Sequence, residues 1–217
     1  MSYRVLDVSL ANEGRRKIQW ASSHMPVLQS LTRQYEKNKP LEGVRVAGCL
    51  HVTKETAVLV ESLKALGAEL SWCGCNPLST QDDVASSLAE DDKVSIYASR
   101  GVSTQKYYED IHSAMKIDPN ITIDDGADLT LEMHKDFERF KTVFGGTEET
   151  TTGVVRLRSM ERGGILKYPI IAVNDAETKH DFDNFYGTGQ SALDGIIRAT
   201  NILISGKNVV VSGYGQV

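Results

Sequence analysis

The stretch Val44–Asp82, VRVAGCLHVTKETAVLVESLKALGAELSWCGCNPLSTQD, holds a strand–helix–strand unit with both of its loops. A short apolar run, Val44–Ala47, passes through Gly48 into a polar loop. Ala57, Val58, Val60, Leu63, Ala65 and Leu66 then form a broad apolar stripe at helical spacing over 54–66, closed by Gly67 in the C′ position. Glu69–Trp72 reads as the next buried strand. Short apolar runs alternating with amphipathic helical stretches are the pattern of βαβ units, and the alternation continues along the chain. It predicts further strands at Lys93–Ala98, Ile121–Ile123, Thr142–Phe144, Ile170–Val173 and Val209–Val211. Helices are predicted over 80–90, 104–117, 128–139, 150–162 and 189–204, and two more in the first 40 residues, broken before Pro26. The expected fold class is α/β, an open, largely parallel, doubly wound sheet.

A chain of 217 residues with 41% apolar composition can bury a core of useful size, roughly 70% of its unfolded surface at this length. Its 24 Lys and Arg are scattered among 29 Asp and Glu, for a net charge of −5 and a pI of ≈ 5.6. The basic footprint of a nucleic-acid or polybasic membrane binder is therefore absent, and small-molecule chemistry is favoured. Arg4 and Asp7 interrupt the first apolar stretch, and no later run approaches the length of a membrane span, so cytoplasmic placement is expected. Cys49, Cys73 and Cys75 make no even disulfide framework, and Cys73-Gly-Cys75 is one residue short of a zinc knuckle. His24, His112, His134 and His180 show no paired ligand spacing. No metal site is expected from these spacings.

In open α/β sheets ligands sit beyond the carboxyl ends of the strands. The residues there are Gly48–Thr53, Cys75–Asp82, Asp124-Asp125-Gly126, Thr147–Thr152, Asn174-Asp175 and Gly213-Tyr-Gly215. Asp124-Asp125 and Glu148-Glu149 are acid doublets, and alternate residues of a strand face opposite ways, so at most one acid of each pair enters a cleft. The other is a solvated acid or a helix cap. Ser79 and Thr80 read as an ordinary helix start. Lys179 and Asp183 share a helix face at i,i+4, a spacing that by itself means only a weak surface pair. The polar stretch 174–190 reads as a crossing between domains, taken here as 1–185 and 186–217. The last twelve residues, Gly206–Val217, run a buried strand into Gly213-Tyr-Gly215-Gln216-Val217, the opening of a dinucleotide-binding unit. A chain stopping in that turn, with no helix to cover its last strand, reads as an N-terminal fragment.

Taken together these clusters closely resemble the S-adenosylhomocysteine hydrolase (adenosylhomocysteinase) family. The matching runs are His24–Pro26, Ala47–Ala57, Cys75–Asp82, Asp124–Asp128, Glu148–Gly153, Val173–Asp175, Lys179 with Phe182–Gly187, and Gly206 to the terminus. The resemblance implies a substrate domain followed by the first strand of a Rossmann-type NAD domain. It also implies a homotetramer at full length and a place in the methyl (one-carbon) cycle. In that family tightly held NAD oxidises the ribose 3′-hydroxyl of S-adenosylhomocysteine, which acidifies the C4′ proton. Homocysteine leaves from C5′, water adds, and reduction of the ketone releases adenosine. Carried over by position, Lys179 and Asp183 resemble the pair at the 3′-hydroxyl, Lys179 being the base. Burial and the positive nicotinamide favour a lowered lysine pKa and Asp183 opposes it.

By the same resemblance, His51 and Asp125 are the proton carriers near C4′ and C5′. Thr53 and Glu55 are adenine-side contacts, and Glu149 accepts from a ribose hydroxyl. Thr150, Thr151, Thr152, Asn184, Gly213, Gly215, Gln216 and Val217 match NAD contacts. Thr188 stands where many members have a cysteine, so no redox role for that thiol is carried over; the Thr-Gly-Gln form resembles the archaeal or thermophilic branch. The remaining catalytic residues would lie beyond residue 217, and the 217-residue chain alone is expected to be inactive. Two other readings stay open. A non-catalytic relative would keep the fold as a regulatory module, but a decayed site should have lost the proton carriers retained here. An NAD-dependent 2-hydroxyacid dehydrogenase would share the two-domain plan, yet would not need the Cys75–Asp82 or Glu148–Gly153 runs.

Overall fold

The computed structural model describes residues 2–215, and the chain divides into two compact units, Met1–Ile171 and Ala172–Val217. The first is built on strands β1 (Tyr3–Arg4), β2 (Arg45–Cys49), β3 (Glu69–Cys73), β4 (Val94–Tyr97), β5 (Ile121–Asp124), β6 (Gly145–Glu148) and β7 (Ile170–Ala172). They form one sheet in the order β1-β4-β3-β2-β5-β6-β7, and every pairing with a defined register is parallel. Its helices are α1 (Ala11–Ser22), α2 (Pro26–Tyr35), α3 (Lys54–Ala65), α4 (Asp82–Ala89), α5 (Thr104–Ala114), α6 (Asp128–Lys135) and α7 (Thr151–Arg162).

Alternation along the strands explains the double winding. Val46, Leu70, Trp72, Val94 and Ile96 pack with Ile18 of α1, Val58 and Val60 of α3, and Val84 and Leu88 of α4. The intervening residues Ala47, Cys49, Cys73 and Tyr97 pack instead with Ile111 of α5, Met133 of α6, Phe140 and Tyr168. Buried on both faces, the central strands must be apolar at nearly every position, which is why they stand out in the sequence. Local signals set the helix ends. The Thr53 hydroxyl accepts from the Thr56 N–H at 3.4 Å to cap α3, Ser103 does the same for α5 at 3.2 Å, and Pro26 opens α2.

Three elements differ from expectation. The sixth strand lies at Gly145–Glu148, after the predicted Thr142–Phe144: Val143 packs into the core, while Gly-Gly-Thr-Glu forms the ladder. A Cβ on Gly146 would fall 2.2 Å from Thr122 Oγ1, so this strand gives up its side chains to the residues beside it. β1 had no counterpart in the apolar pattern; it is a two-residue edge strand paired to β4 and tied down by Arg4, whose Nε donates to Asp110 Oδ1 at 2.8 Å. Val209–Val211, expected as a strand, carries no regular structure and is largely exposed. A strand exists only as part of a ladder, and among the described residues this segment has none to join.

In the second unit a short helix α8 (Glu177–Lys179) runs into a π-helical segment, His180–Gly187, and then α9 (Thr188–Thr200). The polar stretch 174–190 is thus mostly helical. Among the described residues no helix is long and apolar enough to cross a membrane.

Candidate active site at the switch point of the sheet

From β2 the strand order runs to β3 and β4 on one side and to β5, β6 and β7 on the other. That reversal parts the loops after β2 and β5 and opens a crevice at their carboxyl ends. The register places the strand ends level. Cys49 is paired with Cys73 on one side and with Asp124 on the other, and Asp124 with Glu148. The residues that follow this row therefore emerge at one edge.

Three of them meet. His51, two residues past β2, brings Nε2 within 3.4 Å of Asp125 Oδ2, the residue after β5. Cys75, two residues past β3, donates its thiol hydrogen to the same Oδ2 at 3.4 Å. Burial pushes the Cys75 thiol well above its usual pKa and the Asp125 carboxylate pushes it further, so it stays protonated. On its other side the His51 ring is 2.5 Å from Ser79 Oγ through Nδ1. The Ser79 hydroxyl also lies 3.3 Å from the Asn76 carbonyl, so its one hydrogen has two acceptors to choose between, and which His51 nitrogen carries the proton follows that choice. In either tautomer Nδ1 is engaged by Ser79 and Nε2 faces Asp125. Ser79 is thus a positioning residue for His51. The helix start itself falls to Gln81, whose Oε1 accepts from the Lys54 N–H at 3.1 Å and ties the loops after β2 and β3 together.

The acid doublets divide as strand alternation requires. Asp124 and Glu148 turn inward and are fully buried, while Asp125 and Glu149 are only half-buried. Asp124 accepts from the N–H of Thr130 at 2.8 Å, inside the first turn of α6, and from that of Asp125 at 3.0 Å. Burial raises its pKa to about 7; the Thr130 amide opposes that rise and the neighbouring Glu148 carboxylate adds to it. Glu148 Oε1 accepts from Gly126 at 2.7 Å and Thr150 at 3.1 Å, and burial raises its pKa as well. Between these acids the loop Asp125–Ala127 makes a left-handed turn, with φ of +102° at Gly126 and +66° at Ala127. Arg156 of α7 holds it from outside, donating to the Gly126 carbonyl at 2.8 Å and to Asp128 Oδ1 at 3.0 Å. Neither Glu148 nor Arg156 is legible as a site residue in the sequence: one was the inward half of a doublet, the other an arginine on a helix rich in arginine.

The other expected residues of this unit are placed as follows. Thr53 is the α3 cap, and Glu55 in the first turn pairs with Lys54 at 2.7 Å, which holds its carboxyl below the usual range against burial. Thr150 is the N-cap of α7, and Thr151 and Thr152 are exposed in its first turn. Hydroxyls at a helix N-terminus suit ribose oxygens or a phosphate. These are the threonines that the resemblance matches to NAD contacts, and their hydroxyls suit such a group.

Within the second unit Lys179 Nζ donates to Asn174 Oδ1 at 2.8 Å and to Asn184 Oδ1 at 2.6 Å, with Asp183 Oδ2 at 3.4 Å. The i,i+4 reading found Asp183; the wider π-helical turn adds Asn184 five residues on. Gly213 and Gly215 lie in irregular chain, and Gln216 and Val217 fall outside the described residues.

A doubly wound parallel sheet thus brings a histidine, a carboxylate and a thiol, three groups that can exchange protons, together at its switch point. The sequence profile of the S-adenosyl-L-homocysteine hydrolase family matches residues 2–145 and 136–212, and the chain belongs to that family. It is 55% identical over 218 residues to adenosylhomocysteinase of Saccharolobus solfataricus, covering 100% of this chain and 52% of the relative. It is 57% identical over 216 residues to adenosylhomocysteinase of Aeropyrum pernix, covering 99% and 52%. It is 53% identical over 214 residues to S-inosyl-L-homocysteine hydrolase of Methanocaldococcus jannaschii, covering 98% and 51%. The chain spans about half the length of the curated relatives it matches.

Proposed function

We propose that this chain is the substrate-binding part, residues 1–185, and the start of the NAD-binding part, residues 186–217, of a cytoplasmic, homotetrameric enzyme. That enzyme reversibly hydrolyses S-adenosyl-L-homocysteine to adenosine and L-homocysteine by transient 3′-oxidation. The observation that carries this reading is the meeting of His51 and Asp125 at the switch point, in a chain that belongs to this family. Bound NAD would accept and return the hydride at the ribose 3′ position, held on this chain by Thr150, Thr151, Thr152, Asn184, Gly213, Gly215, Gln216 and Val217. Lys179 takes the 3′-hydroxyl proton, with Asn174 and Asn184 fixing the direction of its Nζ. Asp183 and Glu149 accept from ribose hydroxyls, and Thr53 and Glu55 face the base. His51 and Asp125 carry the proton that leaves C4′ and the one that the departing sulfur or the entering water exchanges at C5′, with Ser79 keeping Nε2 toward that work.

The test is incubation of the purified full-length protein with S-adenosylhomocysteine, followed by chromatography for adenosine. Adenosine together with a free thiol, both lost in Lys179→Ala, is the expected result. No adenosine from folded, NAD-loaded protein would make the regulatory relative the better reading. A second substrate is supported by the relatives that act, by name, on S-inosyl-L-homocysteine, at 53% and 56% identity. Parallel incubation with both thioethers decides between an amino and an oxo group at the base.

A further inference from the structure

The same edge carries a second chemical possibility. His51 Nε2, Cys75 Sγ and Asp125 Oδ2 come from the ends of three different strands, and one ligand atom from each lies within 4.8 Å of the others. Two of the three separations, His51 to Asp125 and Cys75 to Asp125, are 3.4 Å. A tetrahedral ion with bonds of about 2.0–2.3 Å has edges of roughly 3.3–3.8 Å between its ligands, so the geometry is already that of two tetrahedral edges. The donors are one nitrogen, one sulfur and one oxygen, a set that suits Zn²⁺ and not the all-oxygen preference of Mg²⁺ or Ca²⁺. The surroundings of His51 match as well. A metal-bound imidazole donates its other N–H to a fixed acceptor, and Ser79 Oγ, 2.5 Å from Nδ1, stands where that acceptor is needed. Beside Cys75 the Tyr107 hydroxyl lies 3.2 Å from the Cys75 carbonyl and 2.9 Å from Asp128 Oδ2.

We propose that His51, Cys75 and Asp125 form a Zn²⁺ site with water in the fourth position. Coordination breaks the Cys75 S–H bond, the proton leaving to solvent as the thiolate binds the ion; nothing is oxidised or reduced. The inference stands on the cluster itself. Its functional consequence rests on the reading given under Proposed function: Zn²⁺ on Nε2 and Oδ2 occupies both proton carriers, so metal and turnover exclude each other.

The experiment uses the full-length protein in metal-free buffer with Co²⁺ as a spectroscopic substitute for Zn²⁺, and reads no activity, so its failure is separate from failure of the hydrolase reading. A thiolate-to-cobalt charge-transfer band that is bleached by one equivalent of Zn²⁺ is expected. It should vanish in Cys75→Ser although Cys49 and Cys73 remain, and His51→Gln or Asp125→Asn should weaken binding by at least about tenfold. Should Cys75→Ser fail to fold, Zn²⁺ protection of the wild-type thiols from alkylation, mapped by mass spectrometry, takes its place: protection of Cys75 supports the site. No band, a band that survives in Cys75→Ser, cobalt bound without thiolate charge transfer, or Cys75 alkylated at an unchanged rate would each overturn it.

Discussion

Replacing Gly153 with alanine should destabilise the protein, against the ordinary expectation for a helix. Gly153 lies inside α7, where glycine to alanine normally gains about 1 kcal/mol by restricting the unfolded chain and improving helix propensity. Here a Cβ would fall 2.2 Å from both Cδ and Oε1 of Glu148 and 2.7 Å from Oε2. Glu148 is fully buried and cannot swing into water, so it must move off the amides of Gly126 and Thr150. Losing two such hydrogen bonds costs about 3–6 kcal/mol if each contributes about 1.5–3 kcal/mol, less the helix gain, for a net loss of about 2–5 kcal/mol. At roughly 2–4 °C per kcal/mol for a chain of this size, the melting temperature should fall by about 4–20 °C. Urea unfolding of wild type, Gly153→Ala, Glu148→Ala and the double variant forms the assay. In the Glu148→Ala background the clash is gone, and Gly153→Ala should be neutral or stabilising by up to about 1 kcal/mol. A single Gly153→Ala variant as stable as wild type would refute the argument that Glu148 is fixed by its neighbours.

Three further outcomes are expected. Because Asp124 binds its proton more tightly folded than unfolded, that group's contribution is complete below its unfolded value near 3.8 and lost as pH rises through about 7. Asp124→Asn should therefore flatten the stability profile between about pH 4 and 7 by an amount of order 4 kcal/mol, read from urea midpoints; an unchanged slope would show that Asp124 is ionised throughout. Ser79→Ala should lower kcat by about tenfold with little change in KM, since it frees the His51 ring without removing a binding group, and Ser79→Thr should restore part of the loss; equal activity would remove Ser79 as a positioning residue. Asp125→Asn in the full-length protein should cut turnover by about 10²-fold or more while bound NAD is retained, and undiminished turnover would take Asp125 out of the mechanism.

The sheet was legible because its central strands are buried on both faces and are apolar at most positions; the carboxyl-edge rule then put His51 and the Asp124-Asp125 doublet among the candidates, and the family resemblance chose His51 and Asp125. What escaped had physical reasons. β6 is Gly-Gly-Thr-Glu because Thr122 and Tyr168 fill the space its side chains would take, so no apolar run announces it. Cys75 was discounted through its spacing from Cys73, yet its partners come from other strands, and spacing along one segment says nothing about such a meeting. Asn184 escaped the 3.6-residue period as a partner of Lys179, because the turn that joins them is a π-turn. Ser79 looked like a helix cap because hydroxyl residues before a helix usually are; here the His51 ring competes for its oxygen and Gln81 opens the helix in its place.

The level row Cys73, Cys49, Asp124, Glu148 bears on how this edge can change by insertion or deletion. Lengthening β5 or β6 by one residue would exchange Asp124 with Asp125, or Glu148 with Glu149, without changing which functional group faces either way, because each position is occupied by an acid of the same kind. The cleft would still present a carboxylate. The penalty would fall upstream, where Ile121 and Ile123 would trade faces with the fully buried Thr122. Frame errors in β5 are thus opposed by the apolar interior, and the chemistry at the rim is protected by a layer that takes no part in it.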